Sequence, residues 1–176
     1  MNTKSTPVAA ERAFVIEREL GAPRERVFRA WTEPEQLAAW WGPRAFTTPV
    51  CRVDARPGGR FQIVMRSADG MEYPIKGVYW EVLSPARIVM TIDCSEHPVE
   101  WHDMVNPGRD RSKPARLEAL LTATFVEVEP DRTRLTIRMS FDSAIIRDGM
   151  IKTGMNEGWS GSLDRLAELL DGGVRW

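Results

Sequence analysis

Cysteine is nearly missing from this chain of 176 residues: Cys51 and Cys94 are the only two, and they form no C-x-x-C pair. A chain of this length can bury a core without covalent staples, so a disulfide framework is excluded as its main support and a reduced, cytoplasmic protein is expected. Lysine is scarce too, 4 residues beside 20 arginines, and the arginines are scattered rather than clustered. With 24 basic against 25 acidic side chains the formal net charge is -1, which gives nucleic acid or an anionic membrane no electrostatic hold. No stretch approaches the roughly 20 apolar residues of a membrane span, and the opening MNTKSTPVAAERAF has no apolar h-region, so neither insertion nor export is expected. Catalytic signatures are equally sparse. There is no G-x-S-x-G elbow, since Gly158-Trp159-Ser160-Gly161 falls within a helical period, and Pro57-Gly58-Gly59 leads into a strand rather than a phosphate-cradling helix.

What the chain has in excess is tryptophan: Trp31, Trp40, Trp41, Trp80, Trp101, Trp159 and Trp176. Rings this large fill a core or line a cavity, and composition does not choose between the two. After a leader over residues 1–12, Ala13 to Leu20 alternates apolar and charged side chains as a strand does. Pro23 opens a helix carrying Val27, Phe28 and Trp31, and Thr32 is placed to cap a second short helix running through Leu37 and Trp40 to Gly42-Pro43. From Phe46 to Phe141 the period drops to two, with breakers at Pro57-Gly58-Gly59, Asp69-Gly70, Ser84-Pro85 and Pro130-Asp131, so six strands are expected. Phe61, Ile63 and Met65 mark one apolar face, as do Val78, Trp80 and Val82, and Leu135, Ile137 and Met139. A helical period follows at Ile151, Met155, Trp159, Leu163, Leu166 and Leu170, predicting one long amphipathic helix to cover that face. Gly154, Gly158 and Gly161 share its spacing; they serve either close packing or room for a ligand beside Trp159. The polar stretch Asp93 to Ala115 is too long for a hairpin and reads as a binding lid or an irregular excursion.

The order of elements is an α+β helix-grip plan: a curved antiparallel sheet of about seven strands wrapped on a long C-terminal helix, with two short helices after the first strand. RPGGRF (Arg56 to Phe61), GVYWEVLSPARIVMT (Gly77 to Thr91), TRLTI (Thr133 to Ile137), MNEGWSGSLDRLAELL (Met155 to Leu170) and ERVFRAWTEPEQLAAWWGP (Glu25 to Pro43) resemble homologues of the Hsp90 ATPase activator. That family lies within the START and Bet v 1-like (SRPBCC) superfamily. The similarity spans residues 13–171, which are taken as one domain followed by a tail over 172–176. The resemblance implies a cavity between sheet and last helix that holds a small apolar ligand. The eukaryotic activator contacts Hsp90 through a separate N-terminal domain for which this chain has no room, so an Hsp90 interaction is not expected of this domain alone. Domains of this size can also pair as homodimers.

Within that plan Phe61, Met65, Trp80, Met90, Met139, Met155 and Trp159 are the expected cavity walls, because bulky, adaptable side chains suit an apolar pocket; a filled core would use the same residues. Trp101 is read as an apolar lid, with His102 and Asp103 as a hydrogen-bonding pair or general base at the mouth. A solvated loop is the competing account of the same residues. Cys94, His97 and His102, with Glu96, Glu100 and Asp103, carry ligand-type atoms, but their spacing matches no standard zinc pattern, so neither a metal nor another cofactor is expected. Glu72 and Glu118 would serve acid-base chemistry only if their strands turned them inward. Three functions remain open: a small-molecule binder, a cavity enzyme of cyclase, dehydratase or hydrolase type, and a chaperone-associated interaction module. An enclosed cavity favours the first, an inward ionisable residue with a shifted pKa the second, and a packed interior with an exposed apolar patch the third.

Overall fold

The computed structural model describes residues 10–172. Most of the leader, most of the tail and Trp176 fall outside them. In chain order the elements are β1 (Ala13–Leu20), α1 (Arg24–Thr32), α2 (Pro34–Trp40), β2 (Thr47–Val53), β3 (Arg60–Arg66), β4 (Glu72–Leu83), β5 (Arg87–Asp93), α3 (Val99–Val105), β6 (Glu118–Glu129), β7 (Arg132–Phe141), α4 (Ala144–Lys152) and α5 (Met155–Asp171). The strands form one antiparallel sheet in the order β1-β7-β6-β5-β4-β3-β2. Each strand after β2 pairs with its predecessor, and β1 joins at the far edge beside β7. This is the α+β helix-grip architecture, with two short helices after the first strand and the last helix against the sheet.

Alternation determines which side chains face inward. Phe61 and Ile63 on β3, and Leu135, Ile137 and Met139 on β7, are buried as their spacing predicts. Phe28, Trp31 and Trp40 from the paired helices fill the space above β6, where Phe125 meets Phe28 and Trp31 edge-on at 5.2 and 5.9 Å between ring centroids. Trp40 satisfies its indole N–H by donating to the Ala30 carbonyl at 2.9 Å. Leu163, Leu166 and Leu170 of α5 close this packed region. An ion pair of 2.7 Å from Arg18 to Asp164 ties the helix to β1.

Four expectations are corrected. In β4 the register slips in a bulge between Tyr79 and Glu81. Tyr79 points inward in step with Tyr73 and Ile75, while Trp80 is 63% exposed on the outer face and donates its indole N–H to the Thr91 hydroxyl at 2.7 Å. Thr32 does not cap α2; it ends α1, and its hydroxyl donates back to the Phe28 carbonyl. The helix expected to run unbroken from Ile151 is two helices, because Gly154 adopts φ 97°, a left-handed conformation that ends α4 and starts α5. Thr153 seals the break by donating its hydroxyl to the carbonyls of Gly149 and Met150, and Ile151 is left exposed. Finally, Asp93 to Ala115 is organised around α3. The Leu117 amide donates to Ser95 Oγ, Lys76 pairs with Glu96 at 2.6 Å, and α3 packs on α4.

The α3–α4 contact has no spare space: a Cβ on Gly149 would lie 1.8 Å from the Val105 carbonyl oxygen. Gly158 and Gly161 lie instead along Pro43 and Arg44 with ordinary room, and a Cβ added at Gly158 would lie 3.7 Å from Pro43 Cγ. In urea unfolding, Gly149→Ala should lose about 1–3 kcal/mol through forced separation of the helices. Gly158→Ala should be neutral or gain up to about 1 kcal/mol from helix propensity.

Candidate functional site

One end of the interior is not filled. A cavity of about 370 Å³ lies between the inner face of the sheet and α5, with Met65, Ile75, Ile92 and Met139 as its floor. Met155 and Trp159 of α5 form one wall, and Trp41 and Phe46, flanking the turn after α2, form another. Trp101 and Met104 of α3 close the third side, and Met104, 60% exposed, stands at the rim. Trp159 is half-buried, meets Trp41 edge-on at 5.3 Å and lies parallel to the core ring of Trp31 at 6.4 Å. Among the described residues no Lys, Arg, Asp or Glu lines the cavity.

Its polar groups are few, and two of them are already committed. Ser162 donates its hydroxyl to the Gly158 carbonyl at 3.0 Å, and Thr153 is engaged at the helix break. Burial pushes the Cys94 thiol up to about 12, so it stays protonated. His97 differs from these. It is 8% exposed, sits between Tyr73 and Trp101 with edge-on ring centroids at 5.3 and 4.4 Å, and neither ring nitrogen has a hydrogen-bond partner among the described residues. Burial, reinforced by His102, holds its pKa down at about 3, so at neutral pH the ring is uncharged and presents one unused donor and one unused acceptor. Each such buried group costs about 1–3 kcal/mol.

Of the nine side chains expected at the site, Met65, Trp101, Met139, Met155 and Trp159 come together around the cavity. Trp80 does not, because it lies on the outer face of β4. Phe61 and Met90 are buried beside Tyr79, farther along the sheet from the open end: Phe61 meets Tyr79 at 5.6 Å, and Met90 is its partner on β5. His102 is buried, its Nε2 3.2 Å from the Ser95 carbonyl oxygen, with its pKa lowered mainly by burial. Asp103 pairs with Arg109 at 2.7 Å, so the expected His102–Asp103 couple is absent. Glu72 is exposed and paired with Arg66 at 2.6 Å, and Glu118 is exposed as well. Among the described residues no three His, Cys, Asp or Glu side chains converge as metal ligands do. Sequence reasoning did not place His97, Trp41 or Tyr73 at the cavity; His97 was weighed only as a metal ligand, and its signal as a lining residue was its place four residues before Trp101.

The sequence profile of the family described as "Activator of Hsp90 ATPase homolog 1-like protein" matches residues 21–171, and the chain belongs to that family. A crystal structure of a protein from Nitrosomonas europaea is similar at 29% identity and a TM-score of 0.74, covering 93% of this chain and 96% of that one. One from Chromobacterium violaceum is similar at 27% identity and a TM-score of 0.70, covering 90% and 96%. The AHSA1 protein from Silicibacter pomeroyi, at 22% identity and a TM-score of 0.69 over 90% and 97%, shares the fold. No curated protein matches the chain significantly. Among the described residues no helix is long and apolar enough to cross a membrane.

The depressed pKa of His97 has a consequence for stability. Between about pH 6.5, where an unfolded-chain histidine titrates, and about 3, the unfolded state takes up a proton that the folded state refuses, so stability falls with acid. Unfolding in urea at pH 7 and pH 5 should differ by about 2 kcal/mol from this group alone. His97→Phe should remove most of that difference, leaving a smaller slope from His102, which is shifted the same way.

Proposed function

We propose that this member of the family binds a small apolar or aromatic molecule in the cavity between the sheet and α5. The observation that carries this reading is a space of about 370 Å³ walled by Trp41, Trp101, Trp159 and three methionine side chains, Met65, Met139 and Met155. Volumes of 300 Å³ and upward suit small ligands, indole faces supply rigid contact area, and methionines adapt to irregular shapes. We place the protein in the cytoplasm, where the free thiols of Cys51 and Cys94 would stay reduced.

A second reading, a cavity enzyme, draws support from His97, an inward-facing ionisable group with a strongly shifted pKa. With that pKa at about 3, the ring is a weak base at neutral pH. An enzyme built on it would use the neutral imidazole as a hydrogen-bond donor to a polarised oxygen. Turnover would then fall in His97→Phe while apolar binding persisted.

Native mass spectrometry of the purified protein, followed by denaturing extraction, tests the binding reading. A reproducible co-purified small molecule is expected, and an empty spectrum together with no binding of small aromatic probes would overturn it. Trp159→Ala should weaken binding at least tenfold. It should cost less stability than truncating the fully enclosed Trp31, for which about 3–5 kcal/mol is expected.

A further inference from the structure

We infer that the cavity selects an uncharged ligand with one hydrogen-bonding head, a phenol or alcohol hydroxyl on an apolar body, and that His97 is the residue that reads this head. The inference rests on the binding function proposed above and specifies its ligand class. Three observations carry it.

First, the lining is apolar except for a few groups: the hydroxyls of Ser162 and Thr153 already donate to helix carbonyls, and of the others, which include the Tyr73 hydroxyl and the indole N–H groups, only the His97 nitrogens are both fully buried and unpartnered. Second, His97 is 8% exposed, and both ring nitrogens are without a partner, although nearly every buried polar atom in a folded protein finds one. Tyr73 and Trp101 grip the ring edge-on from two sides, so its orientation is set by packing before any ligand arrives. A neutral imidazole offers one donor and one acceptor, and a hydroxyl can complement either. Third, no side chain lining the cavity carries a full charge at neutral pH, so a carboxylate or ammonium head would be desolvated without a counter-charge. His97 does not supply one, since its burial among aromatic rings opposes protonation.

Three probes with the same two-ring body separate the possibilities: 2-naphthol, naphthalene and 2-naphthoate. Their binding to the full chain at pH 7 can be followed through quenching of the cavity tryptophans and checked by calorimetry. The expected order is naphthol about tenfold tighter than naphthalene, consistent with one net hydrogen bond in a buried site, with naphthoate at least tenfold weaker than naphthol. In His97→Leu the naphthol-to-naphthalene ratio should fall to near one. In His97→Gln, which keeps a donor and an acceptor, part of the preference should return, and circular dichroism of both variants establishes that they are folded. Naphthoate binding as tightly as naphthol, or a ratio that survives in folded His97→Leu, overturns the head-group assignment while leaving apolar binding intact. Failure of all three probes to bind overturns the binding reading itself.

Discussion

Four backbone carbonyls at the end of the second short helix converge on one guanidinium. Arg165 of α5 donates to the carbonyl oxygens of Ala39 and Gly42 at 2.9 Å, and of Trp41 and Pro43 at 3.3 Å. The last carbonyls of a helix have no partners within it, and a planar fork of donors from another element satisfies several at once. The contact fixes the turn Trp41-Gly42-Pro43 against α5, beside Gly158 and Gly161. Trp41, held by that turn, then meets Trp159 and makes two walls of the cavity continuous. The hollow end of the molecule therefore depends on a polar contact outside it.

Strand alternation made most of the sheet legible in the sequence. Phe61, Ile63, Leu135 and Ile137 lie inside because nothing interrupts the period of two in β3 or β7. In β4 the same reasoning chose the wrong parity: Tyr73, Ile75 and Tyr79 alternate inward, and the bulge beyond Tyr79, which depends on pairing with β5, brings Val82 against the core. The effect spread: once Tyr79 points inward, Phe61 and Met90 become neighbours of a filled region and Trp80 an outer-face residue. The break at Gly154 was hidden for a related reason. Its spacing fits a helix face, and only its backbone conformation reveals it as a terminator.

The site was half legible. Apolar walls contributed by regular elements, Met65, Met139, Met155 and Trp159, follow from periodicity, whereas residues supplied by loops do not. His97 and His102 lie five residues apart in one polar stretch, and their environments diverge through tertiary contacts. His102 finds the Ser95 carbonyl, while His97 is enclosed by Tyr73 from β4 and Trp101 from α3 with no partner. Sequence proximity to Asp103 drew attention to the wrong ring, because that carboxylate is engaged by Arg109.

Hollow and solid are divided along the sheet. Around Phe28, Trp31 and Phe125 the rings are in mutual contact, and Leu121, Leu135, Leu163 and Leu166 seal the remaining space with no measurable exposure. That half is a finished core. Cooperative unfolding is governed by the well-packed region, and elements bordering a void belong to the less stable end of a structure. A molecule entering beside α3 would therefore add to a fold already complete instead of finishing one, and its departure would leave the scaffold intact.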